Sequence, residues 1–162
     1  MDETPQRHLI GSRAELADGL LGLIGRAHRC VRICAQDGAV FGLGSAPVTD
    51  ALGAFVREHR GSRVWLLVDD PLWIETRAPR FKTLQRRFGH AVQIRAANVQ
   101  DPVAGDMQVL VDDCHSLVLR PSALTVGELW IGNEHRARPL LADFDRRWVA
   151  ATHDLPVVPL GL

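Results

Sequence analysis

The sequence carries no net charge, nineteen lysines and arginines standing against nineteen aspartates and glutamates. No whole-molecule field therefore draws it toward DNA or an anionic membrane, and any basic patch must be local. Lysine is almost missing: Lys82 is the one representative and arginine supplies the rest, a bias that reflects base composition rather than a site. Cysteine is scarce as well. Cys30, Cys34 and Cys114 make an odd number, and on a strand Cys30 and Cys34 would stand about 13 Å apart, beyond the roughly 7 Å a disulfide spans. Reduced, buried thiols are expected. The seven histidines show no H-x-x-x-H spacing and no C-x-x-C occurs, which leaves a structural zinc site without support. No apolar run nears the roughly 18 residues of a membrane span. The polar start "MDETPQRHL" lacks the charged-then-apolar order of a secretory signal, so a cytoplasmic protein is expected.

What remains is a chain of 162 residues, 46% hydrophobic, enough for one domain with a real core over residues 1–162. It shows no repeat, low-complexity block or interdomain linker. Ser12 followed by Glu15 makes a capping box, and Leu16, Leu20, Leu23, Ile24 and Ala27 recur at helical spacing, predicting a helix from Arg13 to Ala27. Gly19, Gly22 and Gly25 weaken it, so packing must help. "CVRICA" is the first strand. "AQDGAVFGLGSAP" reads as a loop, and Leu52, Phe55 and Val56 mark a helix from about Val48 to His59.

"RVWLLVDD" is a strand buried on both faces and ending in Asp69 and Asp70. Phe81, Leu84 and Phe88 stripe a helix between Pro79 and Gly89, and "AVQIRAA" follows as a strand. Within "GDMQVLVDDCHSLVLRP", Met107 to Val111 and Ser116 to Arg120 read as two strands of a hairpin turning at Asp112, Asp113 and Cys114. "GELWIGN" suggests a short edge strand. Leu140, Leu141, Phe144 and Trp148 mark the last helix, with Pro139 tolerable only near its first turn, and "DLPVVPLGL" leaves residues 151–162 as an extended tail. Strands alternating with helices predict an α/β fold with a mixed, mostly parallel sheet flanked by helices.

This order of elements, from about Arg29 to Ala150, with its "VLVDD" hairpin and a final helix carrying "FDRRW", resembles one phospholipase D-like domain, most closely degenerate forms found in bacterial proteins. The resemblance implies the phospholipase D-like fold and a comparison with the signature H-x-K-x(4)-D. In active members the histidine attacks phosphorus, the lysine neutralises phosphate oxygens, and two copies of the signature face each other. Laid on this chain with Asp113 in the aspartate place, the signature finds Gln108 for lysine and Asp106 for histidine. Arg120 and Pro121 stand where Gly-Ser would follow, and Ala123 where asparagine would. A carboxylate in the nucleophile's place repels a phosphodiester, and an amide cannot supply lysine's charge. A non-catalytic domain, acting as a binding or protein-interaction module, is the expectation. The resemblance also implies a homodimer, because active single-domain members pair, and an acetyltransferase-type protein partner, because some degenerate forms accompany small acetyltransferase domains.

Two enzyme or cofactor readings compete with it. His115 beside Asp113 would serve a divergent phosphodiesterase, although a histidine opening the second hairpin strand must reach phosphate from a different backbone position. Gly42 and Gly44 are spaced as in a dinucleotide fingerprint, but Pro47 takes the third glycine's place, and a loop with Ser45 capping the next helix is the simpler reading. Asp69, Asp70, Asp112 and Asp113 would suit magnesium if they converged, yet aspartate also favours turns, so no metal and no cofactor is expected. Arg77, Arg80, Lys82, Arg86 and Arg87 surround one helix and read as a solvated face, without the interleaved aromatics of nucleic-acid binding. Trp65 and Trp148 read as core. Trp73, expected in a loop at a strand's carboxyl end, is the aromatic best placed to line a cleft. The binding residues expected from sequence are therefore Asp69, Asp70, Trp73, Asp112 and Arg120.

Overall fold

The computed structural model of the chain describes residues 4–103, 105, 107–120 and 126–154. Its elements run β1 (Gln6–Ile10), α1 (Arg13–Arg26), β2 (Cys30–Ala35), α2 (Ala46–Glu58), β3 (Arg63–Val68), α3 (Pro71–Arg77), α4 (Pro79–Arg87), β4 (Val92–Ala96), β5 (Met107–Val111), β6 (His115–Leu119), β7 (Gly127–Ile131), α5 (Glu134–Ala150) and β8 (Thr152–Asp154). The strands form one sheet in the order β1-β7-β6-β5-β2-β3-β4-β8. It is the expected mixed α/β sheet, but its parallel part is confined to β2, β3 and β4. The other pairings among the described residues are antiparallel. The reason is connectivity: α2 and the α3–α4 pair give the long crossovers that parallel strands need, whereas only three residues separate β5 from β6 and only seven separate β6 from β7.

Alternation along the strands makes two unlike faces. One carries Val31, Ile33, Val64, Leu66, Val92, Ile94, Val109, Val111 and Leu117, all buried in one cluster with residues of α1, α2, α3 and α4. Each such side chain, fully withdrawn from water, contributes about 1.5–3 kcal/mol. The second face has α5 as its helical cover, through a smaller cluster of Cys34, Leu67, Val103, Leu110, Phe144 and Trp148. There the aromatic and cationic side chains stack in series. Arg32 lies over Trp65 at 5.1 Å, Trp65 stacks on Trp148 at 5.4 Å, and Arg95 lies over Trp148 at 4.4 Å. Arg95 also donates to the Trp148 carbonyl at 2.9 Å.

The helix starts follow their caps. The Glu15 amide donates to Ser12 Oγ at 3.1 Å, the predicted half of a capping box, while Glu15 Oε2 accepts from the amide of Gly11, one residue before the cap, at 2.9 Å instead of from Ser12 itself. Asn133 opens α5 by accepting from the Arg136 amide at 3.0 Å. That start places Pro139 in the second turn rather than the first, where its missing N–H removes the i→i−4 bond to the His135 carbonyl.

Four further sequence expectations are corrected. "GELWI" is not an edge strand, because β1 pairs outside it; β1 escapes notice since four of its five residues are exposed and Ile10 alone is buried. Trp73 lies in a short helix, α3, which Asp70 and Pro71 open. Lys82 is buried, 3% exposed, rather than solvated: its Nζ donates to Glu75 at 2.7 Å and Gln85 at 3.1 Å, tying α4 to α3. Finally, Thr152–Asp154 form a strand beside β4 where an extended tail was expected; residues 155–162 lie outside the described residues. None of the described helices is long and apolar enough to cross a membrane.

Candidate functional site

The hairpin turn between β5 and β6 is tied down from several sides. Asp112 is 8% exposed and adopts a left-handed conformation with φ of 51°, a region in which aspartate and asparagine are the better tolerated non-glycine residues. Its carboxylate accepts from three successive backbone amides, His28 at 3.1 Å, Arg29 at 2.8 Å and Cys30 at 3.0 Å. Its own amide donates to the Cys30 carbonyl at 2.8 Å. Asp112 therefore does the work of fastening the turn to the start of β2. Asp113 faces out, more than half exposed, and pairs with Arg29 at 2.6 Å.

His115 opens β6 and turns the other way. Its Nδ1 accepts from the Gly132 amide at 2.9 Å, which fixes the ring against the β7–α5 junction, and its Nε2 lies 3.4 Å from the Cys114 sulfur. His115 and Asp113 thus engage separate partners. Burial pushes the Cys30 thiol up to about 11 and the Cys34 thiol up to about 12, so neither is a thiolate at neutral pH. The three cysteines are free.

The two aspartate pairs do not converge. β5 runs antiparallel to β2, with Val111 opposite Val31 and Gln108 opposite Cys34. The turn at Asp112 and Asp113 therefore lies at the amino end of β2, while Asp69 and Asp70 follow the carboxyl end of its parallel neighbour β3. Five residue steps, about 17 Å, separate those ends. Each member of the second pair has its own structural task. Asp69 accepts from the Val103 amide at 2.7 Å, and Asp70 caps α3 by accepting from the Leu72 amide at 3.1 Å. No group of three or more potential metal ligands occurs among the described residues.

The glycine loop at the same carboxyl end is backed closely by α3 on one side, and on the other its Gly42 and Ser45 border a largely apolar cavity of about 660 Å³ shared with Leu16, Leu20 and Val40. Gly42, with φ of 62°, and Ser45 form a tight turn in which the Ser45 hydroxyl donates to the Gly42 carbonyl at 2.7 Å. Ser45 holds the position of helix cap, but its side chain makes no cap bond to α2. A Cβ on Gly44 would stand 2.8 Å from the Arg77 carbonyl, so the loop's backbone is pressed against the end of α3. Trp73 covers Gly38 so closely that a side chain there would collide with the indole. It covers the loop instead of lining an open cleft. Gln108 sits half-buried on β5 opposite Cys34 and Val118; Asp106, Pro121 and Ala123 lie outside the described residues.

Arg120 belongs to a different place. It lines a groove of about 680 Å³ between the N-terminal part of α5 and the β1-β7-β6 end of the second face. Within it Glu128 binds Arg7 at 2.9 Å and Arg136 at 3.2 Å, and both guanidiniums lie over the Trp130 ring, at 5.9 and 5.5 Å. Burial raises the Glu128 carboxyl, but the hydrogen bonds from Trp130 and Arg7 and the charge of Arg136 outweigh it and hold it below the usual range. Sequence reasoning missed this cluster. Its signal was the alternation of Glu128 and Trp130 in "GELWI", which means little until β1 supplies Arg7.

A mixed sheet with four helices against one face and a fifth on the other is the architecture of phospholipase D-like proteins. The chain matches Nuc from Salmonella typhimurium, a phospholipase D family member, with a TM-score of 0.67 and 17% identity over 94% of this chain and 99% of that one. NucT from Helicobacter pylori matches at 0.56 and 12%, over 91% and 98%. TrmBL2, an archaeal chromatin protein with a novel mode of DNA binding, matches at 0.68 and 15%; the likeness covers 92% of this chain and 53% of TrmBL2, so the chain spans about half that protein's length. These likenesses establish a phospholipase D-like fold. By a family-model match over residues 12–157, the chain belongs to the family described as a domain of unknown function, DUF7931. No curated protein matches it.

Proposed function

We propose that this chain is a non-catalytic phospholipase D-like domain that serves as a binding or protein-interaction module. One observation carries the reading: neither possible register of the family signature supplies its chemistry. With Asp113 in the aspartate place, Asp106 and Gln108 stand for histidine and lysine; with the buried Asp112 there instead, Gly105 and Met107 do. No nucleophile and no phosphate-neutralising ammonium results either way. The hairpin geometry supports the same reading. His115 stands at the opposite end of the hairpin strands from Met107, with Nδ1 occupied by the Gly132 amide. Asp112 is spent on backbone amides. A substitute nucleophile would have to work from the wrong end of β5. That a similar fold occupies about half of an archaeal chromatin protein supports its use for binding.

The test is hydrolysis of bis-p-nitrophenyl phosphate by the purified protein, with and without magnesium, beside His115→Ala and Asp113→Asn. The expected rate equals the uncatalysed background in all three proteins. Turnover that disappears in the variants would make the hairpin a rebuilt active site and overturn the reading. The companion inference is self-association, since active single-domain members of the fold pair, and an acetyltransferase-type protein is the second partner in view. Light scattering at micromolar concentration is expected to return twice the 17.9 kDa chain mass; a monomeric mass removes the homodimer.

A further inference from the structure

The groove beside α5 has the chemistry of a peptide site. Its charged groups are Arg7, Arg120, Arg136 and Glu128, so one carboxylate faces three guanidiniums and two positive charges remain uncompensated. Arg120 makes no ion pair among the described residues and is exposed. Arg7 and Arg136 are held in place by Glu128 and by the Trp130 ring, which lowers the entropy they would lose on gripping an anion. The rest of the lining includes Leu9, Val126 and Leu140. Leu9 is 65% exposed and Val126 50%, two of the few large apolar side chains the fold leaves in water. Guanidiniums interleaved with aliphatic side chains complement a ligand that is itself acidic and aliphatic by turns.

We infer that this groove receives an extended acidic and aliphatic peptide segment of a protein partner, its carboxylates meeting Arg7, Arg120 and Arg136 and its aliphatic side chains covering Leu9, Val126 and Leu140. The inference rests on the interaction-module reading and gives the partner a chemistry. A nucleic acid is the poorer match. Single strands bind through aromatic platforms on which bases stack, and of the two rings in the groove the large one, Trp130, is already overlaid by Arg7 and Arg136, which leaves the small imidazole of His135. The aliphatic lining offers bases nothing comparable.

Fluorescence anisotropy tests it with the full chain and a fluorescein-labelled octapeptide, Glu-Leu-Asp-Val-Glu-Leu-Asp-Val. Comparison probes are the same peptide with lysine at each acidic position and a labelled oligothymidine. Saturable binding of the acidic peptide alone is expected, weakened about tenfold by Arg120→Glu, which corresponds to about 1.4 kcal/mol, and reduced again by Leu9→Thr, a neutral β-compatible change opposite Glu128, and by raised salt. Both changed residues are exposed, so both variants should melt with the wild type. That control separates a lost contact from a lost fold. Absence of saturation, equal binding of the lysine peptide, preference for oligothymidine, or undiminished binding by both variants would each overturn the peptide site. None of these outcomes touches the non-catalytic reading, which falls only to phosphodiester turnover.

Discussion

Replacing Asp112 by alanine is expected to cost about 3 kcal/mol and to lower the melting temperature by roughly 10 °C, since a domain of this size loses about 2–4 °C per kcal/mol. Two causes add. The backbone amides of His28, Arg29 and Cys30 lose the carboxylate they share; these sites are part-buried, so water replaces some of the lost bonds, and the three together cost about 1–2 kcal/mol. Alanine must also adopt a φ of 51°, which β-carbon sterics disfavour by about 1–2 kcal/mol. Asp112→Asn keeps one acceptor oxygen and tolerates that conformation, so its cost should be near half. Asp113→Ala removes an exposed pair with Arg29 and should change stability by less than about 0.5 kcal/mol. Thermal melts of the three variants check the order. If Asp113→Ala proved the more damaging, the assignment of the fastening role to Asp112 would fail.

The second large effect is expected at the opposite face. Trp148→Ala should destabilise the protein by about 4 kcal/mol, within the usual range for a buried aromatic cut to alanine. Trp148 is 6% exposed and stacks against both Trp65 and Phe144, and it underlies the guanidinium of Arg95. Its removal opens a cavity in the smaller of the two clusters, where α5 is the covering helix and few other side chains stand ready to fill the space. Trp148→Phe retains an aromatic plane beneath Arg95 and should lose about half as much. Urea titration followed by circular dichroism distinguishes them. Equal effects from both variants would mean that neither the ring plane nor the volume that phenylalanine keeps restores the packing, and would remove the stacking account of this face.

Much of the fold was legible because its signals were local. Ser12 and Glu15 named the start of α1 to the residue, and the apolar run of β3 declared a buried strand. What escaped had little side-chain signature or depended on direction. β1 buries Ile10 alone, and α3 is seven residues long behind an Asp-Pro start that reads equally well as a turn. The candidate site was harder. That Asp69 and Asp112 follow apolar strands is plain in the sequence, but the antiparallel course of β5, which carries them to opposite ends of the sheet, is a tertiary fact. Lys82 shows the same limit. A lone lysine among arginines looks like surface until α3 places Glu75 over it.

The Asp112 clamp also bears on how the chain reaches this structure. β5 and β6 can zip together as neighbours, whereas the carboxylate that locks their turn must find amides 82 to 84 residues earlier. Closing a loop of that length demands entropy before any contact rewards it, and chains rich in such distant pairings fold slowly. On that ground the hairpin is expected to form with its fastening group still in water, and docking against β2 to withdraw it. Asp112→Asn should then speed unfolding more than it slows folding, as for an interaction made after the folding barrier, which stopped-flow kinetics of the variant would check.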